Sequence, residues 1–419
     1  MASQSQLRVC KNKPRVFIIS DISNEPDDAE SLVRYLLYAN EFDTRGLVAC
    51  TSTWMKREIH PEDMEKIIRA YDQVVPNLNK HVHVDNQYLP GQYYLDILKT
   101  GPALEGAQFL VDRLAESDEP LWVYAISDQD DTGIWNHYGN ALWTGISGDK
   151  FYGFDQGGPD YSQVSAEWIR DNIQIGPFGK AYPDFMFIPE GDTPTFLYLI
   201  QNGLGSPEHP DWGSWGGRYL PVDRDKDTPF NHFHDASDRV IGENGQVFRS
   251  NHATIWRWRN AFQNDFAARI QWTLHDDISN ANHAPVVNVN GNPIGQEPLF
   301  LTATAGSYID LNASDSYDPD GDKLSFKWFH YKDVTATQWI IDNEVKTVEF
   351  EEFEDLDAKS SGRHVRARLP RQCAVGRSAG LLKPQGQVMH LILEVSDNGT
   401  PPITTYGRVV VQTLLVENE

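Results

Sequence analysis

The sequence predicts an α/β protein with a mostly parallel open sheet covered by helices, followed by a smaller all-β domain of sandwich type. Three observations carry this reading. Apolar runs alternate with amphipathic stretches over 15–276, the texture changes after Asn280 to short alternating runs cut by Gly, Pro and Asp, and acids stand where apolar runs give way to helical spacing. This divides the chain into an extension over 1–14, an α/β domain over 15–280 and a sandwich over 281–419.

The strands of the first domain are read at 16–20, 44–50, 120–127 and 185–189, each a short run rich in β-branched and aromatic residues. Helices are read at 28–39, 61–75, 106–115, 165–173, 193–201 and 253–272. In the last of these, Trp256, Phe262, Phe266 and Ile270 recur at helical spacing and are expected in the core. Beyond 285, runs at 286–289, 308–311, 324–329, 388–395 and 408–414 are separated by turn residues, as in a β-sandwich.

The densest chemistry lies at the first strand-to-helix turn, Asp21-Ile-Ser-Asn24-Glu-Pro-Asp27-Asp28. Open α/β sheets place their sites at such carboxyl ends. A helix N-terminus welcomes an acid as cap or dipole partner, but a cap needs one acid and Asp21, Asp27 and Asp28 are all present here. Clustered hard oxygen donors suit Ca²⁺ or Mg²⁺ better than zinc. Asp192 stands at a second strand end that opens a helix, so Asp28 and Asp192 are expected to converge on one metal. Ser127-Asp128-Gln-Asp130-Asp131 follows another apolar run, and Asp128 and Asp130 are candidates to face the same cleft. Trp212 and Trp215, in the Gly-rich segment 209–219, are candidates to stack on a sugar or flat ligand; packing against the sandwich is the competing role.

Composition excludes some classes. With 36 Lys and Arg against 60 Asp and Glu, the net charge of −24 disfavours nucleic acid as a partner. Cys10, Cys50 and Cys373 are too scattered for a disulfide framework or a cysteine zinc site. No apolar run is long enough to span a bilayer, so no membrane partner is expected, and the first residues lack the apolar core of a signal. The chain as written therefore reads as cytoplasmic, or as secreted if a signal has been removed from it.

The acidic turns resemble those of nucleoside hydrolases, and almost the whole chain resembles a cellulose-binding family with a nucleoside-hydrolase-like domain followed by an Ig-like C-terminal domain. The resemblance rests on Ser20-Asp-Ile-Ser-Asn-Glu-Pro-Asp-Asp28, Ala125-Ile-Ser-Asp-Gln-Asp-Asp131, Pro189-Glu-Gly-Asp-Thr-Pro-Thr195, the segment 209–219 and the aromatic run 256–266. Asp315-Ser-Tyr-Asp318-Pro-Asp320-Gly-Asp322 and Val395-Ser-Asp397-Asn-Gly-Thr-Pro-Pro look like turns of Ig-like modules of the polycystic-kidney and cadherin kind; Ca²⁺ binding and ordinary Asx-turn chemistry explain their acids equally well.

The resemblance implies a nucleoside-hydrolase type of sheet with Ca²⁺ at its carboxyl edge, chelating two hydroxyls of a sugar and a water that an acid deprotonates. Carried over residue by residue, Asp28 is the first metal ligand and Asp192 the second. Asp27 is a candidate catalytic acid contacting sugar hydroxyls, Asp21 a candidate base or third ligand, and Asn24 a neutral oxygen ligand that cannot serve as base. Three departures stand out. Counting back from Asp28 puts Ser23 at the usual position of the base, and Gly191 replaces an expected leaving-group His, leaving Glu190 as the candidate acid. Junctions near 101–106, 121–131 and 134–146 are shorter than in relatives.

Three functions follow as expectations. The first is a calcium-dependent hydrolase of N-glycosyl or glycosyl bonds acting on a small sugar-like substrate. The second is an intracellular enzyme whose rebuilt pocket performs non-hydrolytic cyclisation or elimination on a natural product. The third is a non-catalytic polysaccharide-binding protein recognising cellulose. The sandwich is then a lid, a glycan reader or the surface of a homodimer.

Overall fold

A computed structural model of the chain describes residues 3–52, 55–100, 103–126, 145–146, 158–186, 189–221, 233–293, 297–335, 345–353, 362–374, 376–378, 381–383 and 386–414. The chain forms two compact units, one of Val9–Ile200 with Ser214–Ala281, the other of Met1–Arg8 with Gln201–Gly213 and Asn282–Glu419.

The first unit is α/β. Its sheet contains β1 (Arg15–Ser20), β2 (Asp43–Ala49), β3 (Leu98–Thr100) and β4 (Leu121–Ile126) in the order β3-β2-β1-β4, with every pair parallel. The unbroken Val-Phe-Ile-Ile run makes β1 a central strand, since both its faces are covered. Register brings Ser20 opposite Ala49 and Ile126, so three strands end level with one another. Phe17 packs on Phe109 of the helix Ala103–Ala115 at a centroid distance of 5.4 Å. Gly46 of β2 lies where any Cβ would strike both rings, so glycine is required there.

Helix α1 (Pro26–Tyr38) connects β1 to β2, with Pro26 in its first turn, where a missing N–H costs nothing. Two expected helices differ. The stretch 253–272 breaks at Trp258, whose φ of −104° and ψ of 1° leave the helical well, giving Ala253–Trp256 and Arg259–Trp272. The helix after Asp192 is a single turn, Pro194–Leu197. The expected strand at 185–189 is not formed at Phe185, Met186 or Pro189, and Phe187 and Ile188 lie outside the described residues. Strand β3, three residues long, is too short to show a sequence period and was not anticipated.

Arg259–Trp272 is buried on most sides, with Phe262, Phe266 and Ile270 fully buried as the spacing predicts and Trp256 of the preceding turn buried too. Two of its buried charges, Asp265 and Arg269, are paired. Arg269 reaches Glu41 at 2.5 Å and Asp265 at 2.9 Å, and its guanidinium stacks 4.0 Å from the Tyr38 ring centroid.

The second unit is β-rich. Strands Leu299–Thr304, Thr404–Leu414, Val388–Ser396 and Ser325–His330 lie side by side in one sheet; Tyr308–Asn312, His364–Arg368 and Glu349–Glu352 form another. Leu311, Val365 and Ala367 from the smaller sheet and Leu391, Leu393, Val409 and Val411 from the larger share one apolar core. The segment Gln201–Gly213 is tied into this unit: Arg408 donates to the carbonyls of Leu204 at 2.7 Å and Trp212 at 3.0 Å, and Tyr406 N–H donates to Asn202 O at 2.9 Å. Among the described residues no helix is long and apolar enough to cross a membrane.

A candidate metal centre at the carboxyl edge of the parallel sheet

Where β1 ends the chain turns sharply. Ser23 adopts a left-handed φ of 77° and its hydroxyl donates to Asp63 Oδ2 at 2.6 Å, while Asn24 N–H closes the turn on Asp21 O at 3.1 Å. Asp27 and Asp28 follow in the first turn of α1, where the dipole favours negative charge.

Asp27, Asp28 and Asp192 each offer a carboxylate oxygen, and the three oxygens lie within 4.8 Å of one another. Asp27 and Asp28 are buried and Asp192 half-buried. Ser20 donates its hydroxyl to Asp28 Oδ1 at 2.6 Å, fixing that carboxylate. Burial holds the Asp28 pKa well above the ordinary carboxylate range, and repulsion by Asp192, Asp21 and Asp27 adds to it. Cys50, at the end of β2, has its thiol pushed up to about 11 by burial and then by Asp21 and Asp28. The donor set fits a hard divalent cation: carboxylates from two separate turns converge and repel one another, and among the described residues the group holds oxygen donors. Asp27, Asp28 and Asp192 are the residues that would hold it.

Asp21 is fully buried beside this group, and Asn24 is half-buried at the turn. Glu190 sits elsewhere in the network. It takes a left-handed φ of 52° and is completely buried. Arg34 reaches Glu190 Oε2 at 2.5 Å and Oε1 at 2.8 Å, Tyr182 donates to Oε1 at 2.9 Å, and Thr193 donates to Oε2 at 2.7 Å. Glu190 N–H in turn donates to Glu30 Oε2 at 2.7 Å. Both carboxylate oxygens of the expected leaving-group acid are thus engaged by the clamp that anchors the Asp192 turn to α1. Burial, then repulsion by Glu190, raises the Glu30 pKa well above its usual range.

The expected aromatic platform is not exposed. Trp212 is 8% exposed, with His209 stacked on it at 3.8 Å and His390 against its edge at 4.9 Å. Trp215 is 1% exposed and packs against Phe262. Burial of apolar area has taken both rings, leaving neither free for a ligand. Asp128 and Asp130 lie outside the described residues. Sequence reasoning missed Ser20, Glu30, Arg34, Tyr182 and Thr193. For two of them there was a signal: Asp27, Glu30 and Arg34 recur at helical spacing on one side of α1, and Arg34 stands alone as a charge in the apolar second half of the helix.

The parallel four-stranded sheet is consistent with a nucleoside-hydrolase-like fold, and the family match gives that class to residues 15–219. A solved structure described as a nucleoside hydrolase-related hypothetical protein from Saccharophagus degradans, associated with carbohydrate metabolism, shares this fold; the TM-score is 0.70 at 24% identity, over 96% of this chain and 100% of that one. The family model "Cellulose-binding Sde182, nucleoside hydrolase-like domain" matches residues 15–118 and 111–219, and "Cellulose-binding protein Sde0182, C-terminal domain" matches 308–413. The chain belongs to the cellulose-binding Sde182 family. No curated protein matches it.

Proposed function

We propose that the α/β unit is a calcium-dependent hydrolase of glycosyl or N-glycosyl bonds, acting on a small sugar-like substrate. The observation that carries the reading is the convergence of Asp27, Asp28 and Asp192 at the carboxyl edge of a parallel sheet. Bound there, calcium would supply Lewis acidity toward sugar hydroxyls and an activated water. The chain's own groups have separable tasks. Ser20 orients Asp28, the Arg34–Glu190 clamp fixes the turn that carries Asp192, and the role assigned to Asp27, beside them, is to accept hydrogen bonds from substrate hydroxyls. Asp21, buried beside Asp28, is the candidate to take a proton from water. The β-rich unit, with two sheets around one core, is read as an Ig-like sandwich.

The test is calcium content of the purified protein, and nucleoside and glycoside turnover, in wild type and Asp28→Asn. Metal and activity lost together support the reading; turnover that survives complete loss of metal refutes the mechanism. One observation favours a second reading. Gly191 replaces the leaving-group His and Glu190 is clamped, which suits non-hydrolytic cyclisation or elimination, chemistry that needs no water as reactant. Turnover in ¹⁸O-labelled water separates the two, since only hydrolysis puts the label into product.

A further inference from the structure

The β-rich unit carries a second group of acids, remote in sequence from the first. Its loop runs Asp318-Pro-Asp320-Gly-Asp322, and each Asp places one carboxylate oxygen within 4.8 Å of the others. Asp318 Oδ1 accepts from the N–H of Asp320 at 2.9 Å and of Asp322 at 3.0 Å. Those bonds alone describe an Asx-type loop and need no ion.

The independent observation comes from a different element, the hairpin between Val388–Ser396 and Thr404–Leu414. Asp397 in this hairpin is only 6% exposed. Its Oδ1 is saturated, accepting from Gly399 N–H at 2.9 Å, Ile403 N–H at 3.0 Å and Asn282 Nδ2 at 3.0 Å. Its Oδ2 is buried and meets no hydrogen-bond donor, and the same holds for Asp318 Oδ2. The two carboxylates are near enough to repel one another. The loops bearing them are fastened together by Lys323 N–H, which donates to Asn398 Oδ1 at 2.6 Å. A buried carboxylate oxygen without a donor is costly, and the fold keeps one on each of these two fastened loops.

We infer that Asp318, Asp322 and Asp397, with Asp320 at the rim, bind a divalent cation of the calcium class that ties the Asp318–Asp322 loop to the Asp397 hairpin. All-oxygen ligands from two separate loops suit calcium's irregular coordination better than the strict octahedron of magnesium. Asp320 is already held by His283, whose backbone N–H donates to Oδ2 at 2.8 Å and whose Nδ1 lies 2.9 Å from Oδ1, so it contributes least. This site is independent of the proposed catalytic metal.

The experiment counts calcium bound to the full-length protein by native mass spectrometry and titration calorimetry. Wild type, Asp28→Asn, Asp397→Asn and Asp322→Asn are compared, each checked for folding by circular dichroism. The expected result is one calcium retained by Asp28→Asn, and one equivalent lost from wild type by both Asp397→Asn and Asp322→Asn. Asp322 is half-exposed, so its variant tests the site without disturbing a buried position. Absence of calcium from folded Asp28→Asn, or unchanged stoichiometry in folded Asp322→Asn and Asp397→Asn, overturns the inference. A wild type holding one calcium that only the Asp322 and Asp397 variants lose would uphold this site while refuting the metal at Asp28.

Discussion

Arg34 and Glu190, 156 residues apart in the chain, meet as a buried pair, with Nε 2.5 Å from Oε2 and a second nitrogen 2.8 Å from Oε1. The guanidinium also lies 3.9 Å from the centroid of the Phe266 ring and donates to Phe262 O at 3.2 Å. One side chain thus joins α1, the Asp192 turn and the helix Arg259–Trp272.

Removing Arg34 strands a carboxylate in the interior. Arg34→Met should cost about 3–5 kcal/mol, the usual effect of breaking a buried pair on one side. Arg34→Met combined with Glu190→Leu should recover part of this, because no unpaired charge remains. Thermal and urea melts of the three proteins check both expectations, and a double variant no more stable than Arg34→Met alone contradicts them.

Ser20 acts on the proposed metal through Asp28. Ser20→Ala should leave the fold intact and weaken calcium binding about 10–100-fold, as for other groups that orient a ligand. Calorimetric titration with calcium measures this; an unchanged affinity would show that Asp28 needs no such support.

His330 gives the β-rich unit an acid-sensitive point. Its pKa is lowered to about 3, first by burial and then by Lys332. Val348 N–H donates to Nδ1 at 3.3 Å, so the proton sits on Nε2, facing Thr335 Oγ1 at 2.9 Å. The unfolded chain protonates this ring near pH 6.5 while the folded chain does not, so stability is present above 6.5 and falls as pH drops toward 3. At pH 5 the loss amounts to about 2 kcal/mol. His330→Gln should flatten this part of the stability profile between pH 7 and pH 5; a parallel profile would place the acid sensitivity elsewhere.

Trp212→Ala should behave as a core truncation, costing about 3–5 kcal/mol, because the ring is packed between His209 and His390. Cellulose pull-down below the melting temperature should then match wild type. Selective loss of binding with unchanged stability would return Trp212 to the role of a ligand platform.

The legible parts of the sequence were those with local causes. Strand β1, helix α1 and the acids between them were readable because an apolar run, a helical period and a turn follow one another within about twenty residues. The meeting of Asp28 with Asp192 followed from each standing at the opening of a helix. What was not legible depended on distant partners. Nothing near Glu190 announces that Arg34 and Tyr182 occupy its oxygens, and a Gly-rich loop with two tryptophans reads the same whether its rings face solvent or core.

The second unit takes in Gln201–Gly213, which precedes Ser214–Ala281 of the first unit in the chain. Arg408 and Tyr406 bind this segment by its backbone carbonyls. The two units are therefore not beads on a string. A break at 281 would part Leu204 and Trp212 from the strand that grips them, so the β-rich unit is not contained in the residues after 281 alone.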